Sequence, residues 1–501
     1  MVEIIFMNVI KHTSKYVFAV YCFYILLCGL PSEARDDGRI SVLHLTDLHI
    51  DLSYAAGSES LCLKPPCCRI ASDPSLPIRS PAGFVGEYNC GTRLEVLQSA
   101  LEAVGGHARP DVVVWTGDNA PHHEGTTRED VLATFKAVTR ELQQRLPGVA
   151  VVPSLGNYDF VPVHSDPGPP LNSWLLGPLA ELFSDWIGDE GLSTFRFAGY
   201  YDVKLAANLR AVALNTQMCH VKNLFQFVDN TLGQEQLAWL EGVLTRSKQN
   251  GERVLITGHI PPGMFGGCWG KASHEYEMLI GRFQETVVGQ LFGHQHSGSF
   301  RLLREDGKYL GKPVSVAHVT PGFSTFKGGN PAFRLYELRE APTWRLAGFK
   351  QFFLQLSDYN YEARGMEPTG SLNWVLGYTA PSDLNMTDMS PTAWQQLRDR
   401  FDVDEKYKSM FHDLEGSGRP WQGPGPLSDF LCGTSQVSDG NLQECLGTNE
   451  EILVRRYTDS KHTYVITSMF PFDSVLDYFC PILQGLHPSD CPPQLYDRSH
   501  I

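Results

Sequence analysis

Ile40-Ser-Val-Leu-His-Leu-Thr-Asp-Leu-His49 is an apolar run that ends in a carboxylate and an imidazole. Five further segments share this design: Asp111–His122, Ala150–Asp159, Leu209–Thr216, Arg253–His259 and Val287–His296. Each is a short, largely β-branched stretch followed by a polar loop rich in Asp, His or Asn. Such runs read as buried strands. Between several of them lie stretches with apolar residues at helical spacing, namely Thr92–Val104, Glu129–Leu146 and Gly233–Ser247. Strand and helix in alternation predict an α/β fold with largely parallel pairing. Open α/β sheets place their sites at the carboxyl ends of strands.

The strand tips present Asp47 and His49, Asp118, Asn157, His259, and then His294 and His296. Any one of these alone reads as a turn residue. Their recurrence, each closing an apolar strand and most preceded by Gly, points to one shared centre. Carboxylate and imidazole together suit Zn²⁺ or a similar divalent ion. Seven ligands exceed one tetrahedral zinc but suit two metals about 3.5–4 Å apart with a bridging carboxylate.

This order of motifs is similar to that of the calcineurin-like metallophosphoesterases: Asp-x-His, Gly-Asp, Gly-Asn, His, then Gly-His-x-His. The resemblance implies a sandwich of two β-sheets flanked by helices. Asp47, His49, Asp118 and His296 would hold one metal, and Asp118, Asn157, His259 and His294 the other, with Asp118 bridging. Further motifs resemble the acid sphingomyelinase branch: Gly86-Glu-Tyr88 before Cys90, Trp115-Thr-Gly-Asp118, Gly258-His-Ile-Pro-Pro-Gly263, Gly329-Asn-Pro331 and Ser390-Pro-Thr-Ala-Trp394. Together these cover roughly residues 40–446. By the same resemblance the disulfides run Cys62–Cys67, Cys68–Cys90, Cys219–Cys268 and Cys432–Cys445, which leaves Cys480 and Cys491 to pair.

The activity implied is hydrolysis of a phosphodiester, sphingomyelin at a lipid surface first of all, to ceramide and phosphocholine. Two divalent ions, Zn²⁺ by choice, would acidify a water whose hydroxide attacks phosphorus in line. A basic alkoxide leaving group then needs a proton, and His122, four residues past Asp118, is the candidate donor. The family has a second His directly after the metal-binding Asn; here that residue is Tyr158. A phenol, with an ordinary pKa near ~10, donates a hydrogen bond but is a poorer acid. Alternative readings are a phosphodiesterase of nucleotides or other soluble diesters, and a metal- and phosphate-binding relative that turns over slowly.

The formal net charge is −15, which argues against a nucleic-acid polymer as partner. Lys11, Lys15 and the apolar run Tyr16–Leu30, with Ser32-Glu33-Ala34 after it, read as a signal peptide over residues 1–34. No later stretch is apolar enough to span a membrane. Signal removal would take Cys22 and Cys28 and leave ten cysteines, an even number suited to an oxidising compartment. Asn385-Met-Thr387 is a glycosylation sequon. The expected location is therefore secreted or lysosomal. The expected divisions are a catalytic domain over 35–350 and a mainly helical C-terminal subdomain over 351–501. Pro391–Phe401 reads as a helix there and Gly416–Pro426 as a linker. Only residues 35–39 separate the signal from the first strand, so no saposin-type domain is expected. The oligomeric state is left open.

Overall fold

In a computed structural model, residues 38–419 are described except for 63–65, 71–76, 89, 108, 124, 264–266, 309–310, 341 and 364–369; 432–435, 437 and 445 are described as well. The expected signal peptide, most of the expected linker and the Cys480–Cys491 pair lie outside the described residues. The described residues from Ile40 onward form one compact unit.

All six expected segments form strands, and six more appear among the described residues. In chain order they are β1 (Arg39–Leu45), β2 (Val112–Trp115), β3 (Ala150–Pro153), β4 (Tyr201–Ala206), β5 (Leu209–Ala213), β6 (Arg253–Thr257), β7 (Val287–Phe292), β8 (Ser299–Arg304), β9 (Pro313–Val319), β10 (Ala332–Glu340), β11 (Trp344–Leu354) and β12 (Trp374–Ala380). They build two six-stranded sheets, ordered β12-β11-β10-β1-β2-β3 and β4-β5-β6-β7-β9-β8. The tip-bearing strands pair in parallel: β1 with β2, β2 with β3, β5 with β6, and β6 with β7. Antiparallel pairs, β10 with β11, β11 with β12, β4 with β5 and β8 with β9, extend the sheets outward. The α/β sandwich is thus borne out, with mixed sheets. β11 and β12 carry the first sheet past residue 350.

Side chains alternate across a strand, and this alternation builds the layers. Leu209, Ala211 and Ala213 of β5 and Leu255 of β6 join the core that also holds β1, β2 and β3. Val212, Val254 and Ile256 point the other way, onto Leu240, Val243 and Leu244 of the helix Thr231–Gln249 and Leu279 and Ile280 of the helix Gly270–Arg282. A buried residue typically touches 6–12 others, so these apolar layers pack against both sheets beneath their tips.

The expected helices form at Leu94–His107, Arg128–Arg145, Thr231–Gln249 and Pro391–Val403. Thr127 starts the second with a capping box, its hydroxyl accepting from Asp130 N and its own N donating to the Asp130 carboxylate. Ser390 caps the last one, and Pro391 sits in its first turn, where no N–H is missed. A further helix, Glu405–Glu415, follows it. Among the described residues no helix is long and apolar enough to cross a membrane.

Candidate metal centre

The tips of β1, β2 and β3 come from one sheet, and those of β6 and β7 from the other. They meet in two adjacent groups. Ligand atoms of Asp47, His49 and His296 lie within 4.8 Å of one another, as do those of Asp118, His259 and His294. Asn157 joins the second group, its Oδ1 3.0 Å from His259 Nε2. Asp118 Oδ2 lies between the groups, 3.5 Å from His49 Nε2 and 3.3 Å from His259 Nε2. The seven side chains expected to converge therefore do so, and Asp118 sits where a bridge would.

The backbone is bent to achieve this. Asp47, His49, Asp118, His294 and His296 all have positive φ, between 42° and 75°. Such conformations cost of order 1–3 kcal/mol each and persist only where the surroundings enforce them. The enforcement is visible. Asp47 N donates to Gly117 O at 3.0 Å, and His49 N to Asp118 O at 2.9 Å. His294 N donates to Asp47 Oδ2 at 2.9 Å, tying the two sheets together. Gly117 has φ +80°, and a Cβ on it would sit 2.2 Å from Gly156 N. A Cβ on Gly293 would sit 2.0 Å from Thr46 Oγ1, so that glycine serves close approach rather than a left-handed turn.

The donor set fits a cation. His49 Nδ1 donates to Ala120 O at 2.9 Å and His259 Nδ1 to Thr116 O at 2.7 Å, which turns both Nε2 atoms inward. Asp47 Oδ1, His49 Nε2 and His294 Nδ1 are buried without a hydrogen-bond partner. Buried polar atoms are rarely left so, and here they converge on one centre. Electrostatics agree. Burial lowers the His259 pKa, but Asp118 and Asp47 outweigh it and hold the imidazole up at about 9. Burial raises Asp118, yet His259 and His49 pull it well below the usual carboxylate range. A proton on His259 thus compensates the carboxylates where a divalent ion would.

His122 stands beside the first group. Its ring centroid is 5.0 Å from that of His49, and it is held between Tyr158 and Phe326, each 4.0 Å away. Tyr158 lies 5.2 Å from His49, and its backbone N donates to Asp118 Oδ1 at 2.7 Å.

Some contributors were missed by sequence reasoning. Asp159 is wholly buried and accepts from Asp118 N, Asn119 N and Gly156 N at 2.9, 2.8 and 2.7 Å. It clamps the β2 and β3 tips together. Burial first, then Asp118, pushes its carboxyl up to about 7. Its place in Gly-Asn-Tyr-Asp was the available signal. Phe326 and the histidines His164 and His220 stand in no motif, and nothing local marks them.

The four disulfides Cys62–Cys67, Cys68–Cys90, Cys219–Cys268 and Cys432–Cys445 are formed. The third tethers the turn after β5 to the segment before Gly270–Arg282. Asn385 is exposed in a left-handed turn.

A calcineurin-like phosphoesterase family model matches residues 40–298. The chain is 32% identical over 403 residues to sphingomyelin phosphodiesterase of Bos taurus, covering 78% of this chain and 62% of that one. The Homo sapiens counterpart is 32% identical over 403 residues, covering 78% and 61%. Acid sphingomyelinase-like phosphodiesterase 3b of Homo sapiens is 30% identical over 390 residues, covering 74% of this chain and 81% of that one. The chain thus spans about three fifths of the length of the two sphingomyelin phosphodiesterases.

Proposed function

Because the chain belongs to the calcineurin-like phosphoesterase family, we propose that its strand-tip centre is the active site of a metal-dependent phosphodiesterase, with sphingomyelin as substrate. The observation that carries this reading is the pair of adjacent Asp/His groups with inward lone pairs and His122 beside them. Asp47, His49 and His296 would hold one divalent ion, His259, His294 and Asn157 the other, and Asp118 both. Such ions, zinc by the chemistry of the donors, supply Lewis acidity and an acidified water.

The protein's own groups do the rest. Asp159 and the left-handed tips orient the carboxylates. His49 and His259 turn Nε2 toward the centre because a carbonyl occupies each Nδ1. His122, held between two rings, donates the proton that the leaving oxygen needs. Displacement at phosphorus breaks one P–O bond to the leaving alkoxide and makes one to water oxygen. The names of the relatives support ceramide as that leaving group. A secreted or lysosomal setting accords with the signal-like N-terminus and the disulfides.

A second reading rests on Tyr158. With a phenol where a second imidazole is expected, the centre would bind metal and phosphate yet turn over slowly. The test is a hydrolysis panel on zinc-loaded protein with sphingomyelin micelles, soluble diesters and bis(4-nitrophenyl) phosphate. Release of phosphocholine supports the first reading; metal loading without turnover of any substrate supports the second.

A further inference from the structure

A row of rings continues past the second ligand group. His220 packs edge-on against His294, with centroids 5.2 Å apart at 81°, and against His164 at 5.2 Å and 60°. His164 lies 5.5 Å from the Tyr158 ring. His164 and Tyr158 are half-buried, so this row opens to solvent at one end, whereas His220 is fully buried.

Neither ring nitrogen of His220 has a hydrogen-bond partner. Gln217 is also 0% exposed, and neither its amide oxygen nor its amide nitrogen has one. Both residues belong to one 3₁₀ turn, Thr216–Cys219 with His220 as its cap, and His220 N donates to Gln217 O at 3.2 Å. Four unpaired buried polar atoms therefore belong to one turn and its cap, at a cost to stability. Neither residue belongs to the two ligand groups.

The turn is firmly held. Asn215 Oδ1 accepts from Gln217 N at 3.1 Å, Gln226 donates to His220 O, and the Cys219–Cys268 disulfide ties down its end. After burial, the groups acting on His220 are His164, His294, Lys222 and His259. Lys222 also acts on His294. Asp166, the buried acid of this region, accepts from Gly168 N, Asn172 and Asn215.

We propose that His164, Gln217 and His220 form an oxyanion subsite that binds a phosphate-class group beside the phosphate held at the metal centre. Imidazole and amide N–H groups donate to its oxygens, and Lys222 adds favourable charge. A quaternary ammonium group offers no acceptor to these donors. The subsite therefore widens the enzyme's range to ligands that carry a second phosphate, or to a free phosphate bound alongside the first. This rests on the phosphodiesterase reading for the placement of the first phosphate.

The test is calorimetry on the zinc-loaded full chain with methylphosphonate and methylenediphosphonate, with metal content measured for every variant. A charge-assisted hydrogen bond supports a preference for the diphosphonate of roughly tenfold or more. His220→Ala and Gln217→Leu should each reduce that preference to about threefold or less. Saturation with inorganic phosphate at two equivalents per chain, falling to one in the variants, would identify the free ion as occupant; a single equivalent points to a linked second phosphate. Gln217→Leu removes two unpaired polar atoms at nearly constant volume, so its melting temperature should hold or rise. No preference in the wild type, or a preference intact in both variants, overturns the subsite. Failure to hydrolyse bis(4-nitrophenyl) phosphate would instead sink the phosphodiesterase reading and leave the diphosphonate preference measurable.

Discussion

His122→Ala separates leaving groups by their need for a proton. The imidazole lies 4.0 Å from both Tyr158 and Phe326, and it stacks on Phe326 at 18°. That grip holds a donor in place rather than letting it swing. A positioned general acid contributes about 10²–10⁴-fold, or about 3–5 kcal/mol of barrier. The variant should lose that much in kcat on sphingomyelin, whose leaving group is an alkoxide. On bis(4-nitrophenyl) phosphate, whose phenolate leaves unprotonated, the loss should stay under roughly tenfold. Tyr158→His tests the same logic in reverse. It places an imidazole beside His122 and should raise kcat on the alkoxide substrate while barely changing the nitrophenyl one. Steady-state rates on both substrates, with zinc content checked because Asn157 is adjacent, make the comparison. Equal losses on both substrates in His122→Ala would refute its role as the acid. It would then be a packing residue that props Tyr158.

Other outcomes follow from the same geometry. Asp118→Asn should abolish turnover and lower the metal content of both groups, since one carboxylate oxygen faces both His49 and His259; elemental analysis reads it. Mature protein should show no titratable thiol when denatured, because the four described disulfides leave only Cys480 and Cys491 of the ten cysteines to pair. Glu277 is a buried carboxyl with Arg304 N donating to one oxygen at 2.8 Å and the other oxygen unpaired. Burial pushes it up to about 7, with Arg304 opposing and Asp306 reinforcing the rise. A raised carboxyl binds its proton more tightly when folded, so its stabilising contribution is full below about pH 4.5 and lost as pH climbs through 7. The loss is on the order of 3 kcal/mol, and Glu277→Gln should flatten the fall in melting temperature between pH 5 and 7.5.

The tip-bearing strands were legible because each carries its own signal: a short apolar run closed by Gly and a ligand-type side chain. Such a pattern survives whatever the strand later pairs with. β8 to β12 carry no tip, and β10 and β11 pair antiparallel with each other, so their alternation marks strands without saying which sheet takes them. The division into two sheets depends on pairing β1 with β10, far apart in the chain, which no local pattern encodes. The helices followed their caps and apolar spacing, as at Thr127 and Ser390. The ligand side chains could be listed from sequence, but their meeting depends on left-handed turns at Asp47, His49 and Asp118. Residue type alone does not announce those, since Asp and His take such φ values more often than most residues but still uncommonly. His164 and His220 were illegible for a simpler reason. A lone histidine carries meaning only through its neighbours, and theirs come from other segments.

Each ligand group draws from both sheets. Asp47 and His49 from one face His296 from the other; Asp118 and Asn157 from one face His259 and His294 from the other. A metal ion here would therefore act as a rivet through two plates, as well as a reagent. Without it, the seam is closed at this end by weaker links such as His294 N to Asp47. Under shear the plates would part first at the edge that carries the tips, while the apolar layers beneath still held. A chelator would then do more than stop the chemistry. It would unpin the sandwich at its rim and let protease reach the tips before the strands.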